Sequence, residues 1–261
     1  MNLLLTHKID PTIIISKKDI ILGTISFCGL EYKMLQKECS VIWYSWPQEV
    51  PKPQFNSSAT YHPIVVFGKQ QIQPRKTLCY GVSYKYSGVP HALEPETPDD
   101  IKTIMDLTNL MYPESEKHHL MCLANSYPSG YHCIGKHSDD ESQMSELRDV
   151  ICWVTGVTRR MIFRDKKKKD AVVLDISLPE GIYIMHGKKF QSCYKHEIPR
   201  EKGSLFKKLS TLAPAELSSL KKADWLIDNS EQVKDKMPEK YEEYLSWAQK
   251  RDSYTMRFFK K

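Results

Sequence analysis

From residue 119 to residue 198 the chain alternates short β-prone runs with turn residues, at 120–124, 150–154, 160–164, 171–178 and 181–185. No helical pattern of any length separates these runs. A parallel α/β sheet needs a long crossover between strands, so short strands this close together predict an antiparallel sandwich or jelly roll.

The flanks of this block read differently. Residues 98–112 show helical spacing at Ile101, Ile104, Met105 and Leu107, opened by the capping signature Thr97-Pro98-Asp99-Asp100. Ile64-Val65-Val66-Phe67-Gly68 predicts a strand closed by a turn. Tyr80, Val82, Tyr84 and Tyr86 recur at period two, which predicts one strand face. Residues 201–250 are rich in Lys, Glu, Leu and Ala, with helix-start signals at Ala213-Pro214-Ala215-Glu216 and Pro238-Glu239. They predict at least two helices, after which 253–259 is β-prone again. Pro47, Pro51 and Pro53, followed by Asn56-Ser57-Ser58, form a loop that closes an N-terminal lead-in. The expected division is an extension over 1–60 and one domain over 61–261, interrupted by a helical insertion at about 201–250.

Composition narrows the function classes. Hydrophobic residues are 41% and charged residues 27% of 261, which excludes a wholly disordered chain. No apolar run reaches the roughly 18 residues of a membrane span. The longest candidate, 20–30, is broken by Gly23, Thr24, Ser26 and Gly29. Leu3 to Leu5 is too short for a signal-peptide core. These features set the expectation of an intracellular protein, nuclear or cytoplasmic, with no membrane partner. The seven cysteines show no zinc-knuckle spacing. A net charge of +6 and pI near 8.8 are compatible with a polyanionic partner and do not require one.

The chemistry concentrates in Asn125-Ser126-Tyr127-Pro128-Ser129-Gly130-Tyr131-His132-Cys133-Ile134-Gly135-Lys136-His137-Ser138-Asp139-Asp140-Glu141. His137 and Asp139 are two apart, so on an extended segment an imidazole and a carboxylate face the same way. With nine histidines in the chain, a single His-x-Asp is within chance expectation. Its weight comes from the company it keeps. A second histidine beyond several strands would complete the 2-His-1-carboxylate set of non-haem Fe(II) oxygenases, which leaves coordination positions open for a cosubstrate and O₂. His196 is that candidate, with His186 as a rival. Arg251 and Arg257 are six apart on an expected strand and point to one face. Two guanidiniums there suit a dicarboxylate such as 2-oxoglutarate.

On these residues the sequence resembles the AlkB-type Fe(II)/2-oxoglutarate dioxygenases. The family order Asn-x-Tyr, Gly, His-x-Asp matches Asn125, Tyr127, Gly130, His137 and Asp139. The block Gly135 to Glu141 is similar to the branch that repairs alkylated DNA, as are Tyr84-Lys85-Tyr86-Ser87-Gly88 and Val66-Phe67-Gly68-Lys69 followed by Pro74-Arg75-Lys76. The likeness covers roughly 61–200 plus 251–259. It implies an α+β fold with a double-stranded β-helix (jelly roll) core, flanking helices, N-terminal lid strands and the C-terminal helical insertion. By the same resemblance His137, Asp139 and His196 would bind Fe(II), and Asn125, Tyr127, Arg251, Ser253 and Arg257 would surround 2-oxoglutarate, with O₂ as second cosubstrate. Tyr86 and His137 would sandwich a flipped base, and Tyr84 and Ser87 would shape its pocket. Arg75 would sit beside it, and Asp140 and Glu141 would meet its exocyclic edge. Phe67 would fill the gap left in the duplex. Arg200 and Lys202 would approach a phosphate backbone. Two departures stand out: Ser253 where the family usually has Asn, and a step of 55 positions from His196 to Arg251.

The resemblance implies oxidative demethylation of 1-methyladenine and 3-methylcytosine in DNA, duplex favoured over single strands, by a monomer. RNA demethylation, a catalytically idle nucleic-acid-binding module and oxidation of protein side chains are the alternatives. Several residues carry two readings. Phe67, Tyr84 and Tyr86 could be core residues, and Asp140 and Glu141 a solvated loop. Arg159, Arg160 and Arg164 could be ion-paired or DNA contacts. The lysines at 166–169 read as a solvated hairpin tip or a phosphate contact. The 201–250 insertion could cover the nucleic-acid face, bind a protein partner or decorate the surface.

Overall fold

The computed structural model describes residues 8–9, 13–34, 38–56, 58–66, 68–86, 89–147 and 149–261. In chain order the elements are β1 (Lys8–Ile9), β2 (Ile13–Leu22), β3 (Ile25–Met34), β4 (Cys39–Tyr44), β5 (Tyr61–Val66), β6 (Lys69–Tyr80), β7 (Tyr84–Tyr86), β8 (Val89–His91) and α1 (Asp99–Met111). Then come β9 (His118–Tyr127), β10 (Ile134–His137), β11 (Val150–Gly156), β12 (Arg159–Asp165), β13 (Ala171–Leu178), β14 (Gly181–His186), α2 (Phe190–Cys193) and β15 (Tyr194–Ile198). Last are α3 (Gly203–Leu209), α4 (Ser219–Asp228), α5 (Ser230–Lys236), α6 (Tyr241–Trp247) and β16 (Arg251–Lys260).

Strands β9 to β16 cross between two antiparallel sheets. β9, β11, β14 and β16 lie in a nine-stranded sheet of order β2-β3-β4-β14-β11-β16-β9-β6-β5. β10, β12, β13 and β15 lie in a five-stranded sheet of order β1-β13-β12-β15-β10. This is the double-stranded β-helix, a jelly roll with helices added outside. The short strands of 119–198 fold as the turn pattern predicts, because each must bury one face against the opposite sheet.

Alternation along the strands decides which residues fill which layer. Met121, Leu123, Cys152 and Val154 point between the sheets, where they meet Met161, Phe163 and Leu174. Cys122, Ala124, Ile151 and Trp153 point to the other side, with Tyr254, Met256 and Phe258. There Ile101, Ile104 and Leu107 of α1 cover them. The large sheet is thus buried on both faces, which is why β11 reads as an almost unbroken apolar run. Helix α1 matches its expected span, but Thr97 does not cap it. Pro98 is the N-cap, with no side-chain cap bond, and Asp99 and Asp100 supply the acidic first turn that favours the dipole.

Two expectations change. The alternation Tyr80, Val82, Tyr84, Tyr86 does not run along one strand. β6 ends at Tyr80, because Gly81 takes φ +89° and an added Cβ there would lie 2.3 Å from the Leu120 carbonyl oxygen. β7 then pairs with β8 in a separate two-stranded sheet. The helix start at Ala213-Pro214 is not used either. α4 begins six residues after Ala213, at Ser219, where the Ser218 side chain accepts the Lys221 N–H. The stretch before residue 60 supplies β2, β3 and β4, which continue the large sheet beyond β14. Phe27 of β3 is fully buried against Tyr44 and Trp153, edge-on to both rings. Gly29 is required opposite β4, since a Cβ would fall 1.9 Å from the Trp43 carbonyl oxygen. Helices α3 to α6 build a third core from Leu205, Leu209, Ala223, Leu226, Val233, Tyr244 and Trp247. Tyr131, from the β9–β10 connection, completes that core.

Truncating a buried phenylalanine costs about 3–5 kcal/mol, so Phe27→Ala should lower the melting temperature by on the order of 10 °C. An unchanged transition in scanning calorimetry would mean that the N-terminal strands do not belong to the folding unit.

Candidate metal centre and cleft

The site is built on the register of β10 and β15. These strands pair antiparallel with His137 opposite His196. The two imidazole centroids lie 4.2 Å apart. Asp139 follows two residues after the end of β10 and is turned back toward them. Its N–H donates to Gln191 Oε1 at 3.0 Å. The neighbouring Ser138 hydroxyl donates to the Tyr194 carbonyl at 2.9 Å. The candidate ligand atoms of His137, Asp139 and His196 all lie within 4.8 Å of one another. Among the described residues this is the one such cluster. His186 is not a competing ligand, because its Nδ1 lies 2.7 Å from Asp149 Oδ2 instead.

The hydrogen bonds prepare these atoms for a cation. His137 Nδ1 lies 2.9 Å from the Gly135 carbonyl oxygen. A carbonyl only accepts, so Nδ1 carries the proton and Nε2 keeps its lone pair. That Nε2 faces Asp139 Oδ1 at 3.8 Å. His196 Nε2 faces Asp139 Oδ2 at 3.6 Å, and that oxygen is buried with no hydrogen-bond donor. A buried carboxylate with a donor-free oxygen and a facing imidazole lone pair is costly unless a positive charge sits among them. The set of two imidazoles and one carboxylate fits Fe(II) in the facial-triad manner.

Electrostatics support the same ionisation state. Burial, reinforced by His137 and only partly opposed by Asp139, pushes the His196 imidazole down to about 3. Burial also lowers His137, against the pull of Asp139. Burial works against the Asp139 anion as well, but Arg257 and then the two imidazoles outweigh it and hold the carboxyl at about 2. Arg257 Nη2 donates directly to Asp139 Oδ1.

Beside the triad is a narrow cleft. Asn125 and Tyr127 line it from β9, Ser253, Thr255 and Arg257 from β16, and Arg75 from β6. Ser253 lies opposite Asn125 in the β9–β16 ladder. Arg75 Nε donates to Asn125 Oδ1 at 2.9 Å, and the Asn125 amide donates to the Leu123 carbonyl. Two guanidiniums with amide, phenol and hydroxyl groups make a wall suited to a small dicarboxylate.

The remaining sequence-derived positions divide. Arg251 shares the strand with Arg257 but does not line the cleft. Its Nη1 donates to the Val157 and Leu178 carbonyls, each at 3.0 Å, so the second cleft guanidinium is Arg75. Asp140 and Glu141 do not line the cleft either. Asp140 is exposed and ion-paired with Lys166 at 3.1 Å. Arg200 lies over the Tyr131 ring, 4.3 Å from its centroid, and Lys202 reaches the Glu243 carbonyl. Arg160 and Arg164 are ion-paired with Asp175 and Glu197. Phe67 and Ser87 lie outside the described residues, as do the side chains of Tyr84 and Tyr86, whose backbone forms β7. No motif or spacing pointed to Gln191, which holds the Asp139 backbone, nor to Cys152, Met161 and Tyr183, which line the cleft.

No protein-family model matches the chain. It is 26% identical over 148 residues to the DNA oxidative demethylase ALKBH2 of Bos taurus, of Mus musculus and of Homo sapiens. That match covers 53% of this chain and 52%, 60% and 55% of those relatives, so the chain spans little more than half their length. Over that stretch the chain is similar to AlkB-type oxidative demethylases. Among solved structures, OsALKBH1 aligns with 79% of this chain and 83% of its own, at 15% identity and a TM-score of 0.37. A Pseudomonas putida prolyl-4-hydroxylase aligns over 72% of both chains, at 9% identity and a TM-score of 0.35.

Replacing Asp139 by Ala should abolish tight divalent binding, read as loss of the visible Co(II) spectrum of the metal-free protein on titration. Retained binding would reject the triad as a metal site. The buried imidazoles also make the metal-free protein acid-labile. His132, His137 and His196 all have lowered proton affinity in the folded state, chiefly through burial. The unfolded chain therefore binds more protons once the pH falls below about 6.5, and stability drops with pH from there. A melting temperature that stays flat from about pH 7.5 to pH 5 would contradict this.

Proposed function

We propose that this chain is an Fe(II)/2-oxoglutarate-dependent dioxygenase that oxidatively demethylates N-alkylated bases in nucleic acid, with DNA carrying 1-methyladenine or 3-methylcytosine as its substrate. The observation that carries the reading is the convergence of His137, Asp139 and His196 from distant segments beside a cleft that holds Arg257 and Arg75. The similarity to DNA oxidative demethylases supports the choice of nucleic acid over protein side chains.

Bound Fe(II) with 2-oxoglutarate and O₂ supplies oxidation of the N-methyl C–H bond, after which the hydroxymethyl group leaves as formaldehyde. The chain's own residues do the rest. His137 offers Nε2 because Gly135 holds the proton on Nδ1. Arg257 keeps Asp139 ionised and fixes one of its oxygens, leaving the other for the metal. Arg75, Asn125 and Tyr127 line the side of the cleft where the cosubstrate would lie. Arg251 would then act at one remove, by bracing the Val157 and Leu178 carbonyls rather than by gripping a carboxylate.

A target base cannot be oxidised inside the stack, so it must be extruded at a cost of a few kcal/mol. In this reading Phe67 offsets that cost in the duplex, and Tyr84, Tyr86 and Ser87 form the base pocket with the His137 ring. Base–aromatic stacking is worth about 1–3 kcal/mol. An N-methylated adenine or cytosine is cationic, and the carboxylates of Asp140 and Glu141 would favour it over the neutral base. Arg200 and Lys202, exposed just after β15, would meet the phosphate backbone.

The test is an incubation with Fe(II), 2-oxoglutarate and oligonucleotides bearing 1-methyladenine or 3-methylcytosine, as single- and double-stranded DNA and as RNA. Formaldehyde and succinate should appear together on DNA and vanish in Asp139→Ala. No formaldehyde from any oligonucleotide, with metal bound, would overturn the demethylase reading, and release from RNA alone would overturn the choice of DNA.

A further inference from the structure

The connection at 128–133 launches β10 and with it His137. Three separate parts of the chain hold this turn. The first is Arg159, only 2% exposed. Its Nη1 donates to the Ser129 carbonyl at 3.1 Å, and its Nη2 donates to the carbonyls of His132 at 3.0 Å and Pro199 at 2.8 Å. Its Nε lies 3.1 Å from Glu201 Oε1. Pro199 follows directly on β15, so one guanidinium joins the entrance of the His137 strand to the exit of the His196 strand.

The second and third ties come from the helical block. The Gly130 N–H donates to the Trp247 carbonyl at 2.8 Å, and the Gly130 carbonyl accepts the Glu201 N–H at 2.8 Å. A Cβ at Gly130 would lie 2.6 Å from the Trp247 ring. Asp224 of α4 then ends a directed chain. The Ser129 N–H donates to His132 Nδ1 at 3.1 Å, so the His132 proton sits on Nε2. Nε2 lies 2.9 Å from the Tyr61 hydroxyl, which donates to Asp224 Oδ1 at 2.6 Å. His132 is fully buried, and the Tyr61 ring stacks on it at 5.9 Å with planes 9° apart. An acceptor oxygen at one end fixes the direction of every bond in the chain.

We propose that the 203–247 helical block braces the metal centre, and that Asp224 and Tyr61 are positioning residues acting through His132 on the turn that launches His137. This rests on reading His137, Asp139 and His196 as a metal site. The block carries as many acidic as basic residues from Glu201 to Lys250, nine of each, so it adds no net positive charge for a polyanion. Its contacts run inward to the turn before β10 and to Tyr61. Outer partners in direct contact with a metal ligand change affinity by about 10- to 100-fold, and a partner further removed should change it less.

The experiment measures Co(II) affinity of the metal-free full chain by its visible spectrum, with calorimetric melting on the same samples. Asp224→Ala and Tyr61→Phe should each weaken Co(II) binding by about 3- to 10-fold. Asp224→Asn keeps an acceptor oxygen and should stay within about twofold of the parent chain. A role confined to stability would shift the melting temperature and leave the Co(II) affinity alone, and that outcome overturns the brace. So would an affinity in Asp224→Asn as weak as in Asp224→Ala. Failure of the parent chain itself to bind Co(II) would instead overturn the metal site, a distinguishable result.

Discussion

Everything at the centre of this molecule depends on one cross-strand pair. His137 and His196 are 59 residues apart in the chain, yet they sit opposite each other because β10 and β15 are neighbours in the small sheet. A slip of one residue in that ladder would turn one imidazole to the other face. The register is fixed from outside the pair. Phe163 of β12 lies opposite His196 on the other side of β15, and Arg159, at the start of β12, holds both strand ends.

The carboxylate depends on a different restraint. Asp139 lies beyond the end of β10, so no ladder fixes it. Gln191 grips its backbone, and Arg257, from the last strand, takes one oxygen. Burying an aspartate beside two imidazoles is costly unless cations compensate. Arg257 offsets part of that cost and leaves the second oxygen without a donor. Stability and metal affinity thereby draw on the same side chain. The first and last strands of the jelly roll meet here too, since β16 pairs with β9 over ten residues and brings Ser253 opposite Asn125.

Much of this was legible in the chain. The spacing of short strands set the fold class, because turn residues and alternation act locally. The pair His137 and Asp139, with His196 after several strands, was legible as a ligand set because facial-triad chemistry demands those residue types. The helical block was visible in its composition. What the sequence misjudged lay where local pattern and packing disagree. The alternation through Tyr80 to Tyr86 looked like one strand, but the close approach of the Leu120 carbonyl forces Gly81 into a left-handed bend. Nor does anything local show that Phe27 docks between Tyr44 and Trp153.

The sequence by itself determined the inventory: which side chains could bind a metal, which segments could be strands, and that a helical block of about 50 residues interrupts them. It could not decide the assignments of the arginines. Arg251 and Arg257 share one strand face on paper, but only Arg257 reaches the cleft, because the Val157 and Leu178 carbonyls converge on Arg251. Arg75 takes a place beside Asn125 that no spacing rule foretells. A guanidinium goes to whichever acceptors surround it once it is buried, and those acceptors are supplied by segments far away in the chain. Partnerships of that kind exist only after the sheets have closed, so the tertiary structure alone decides them.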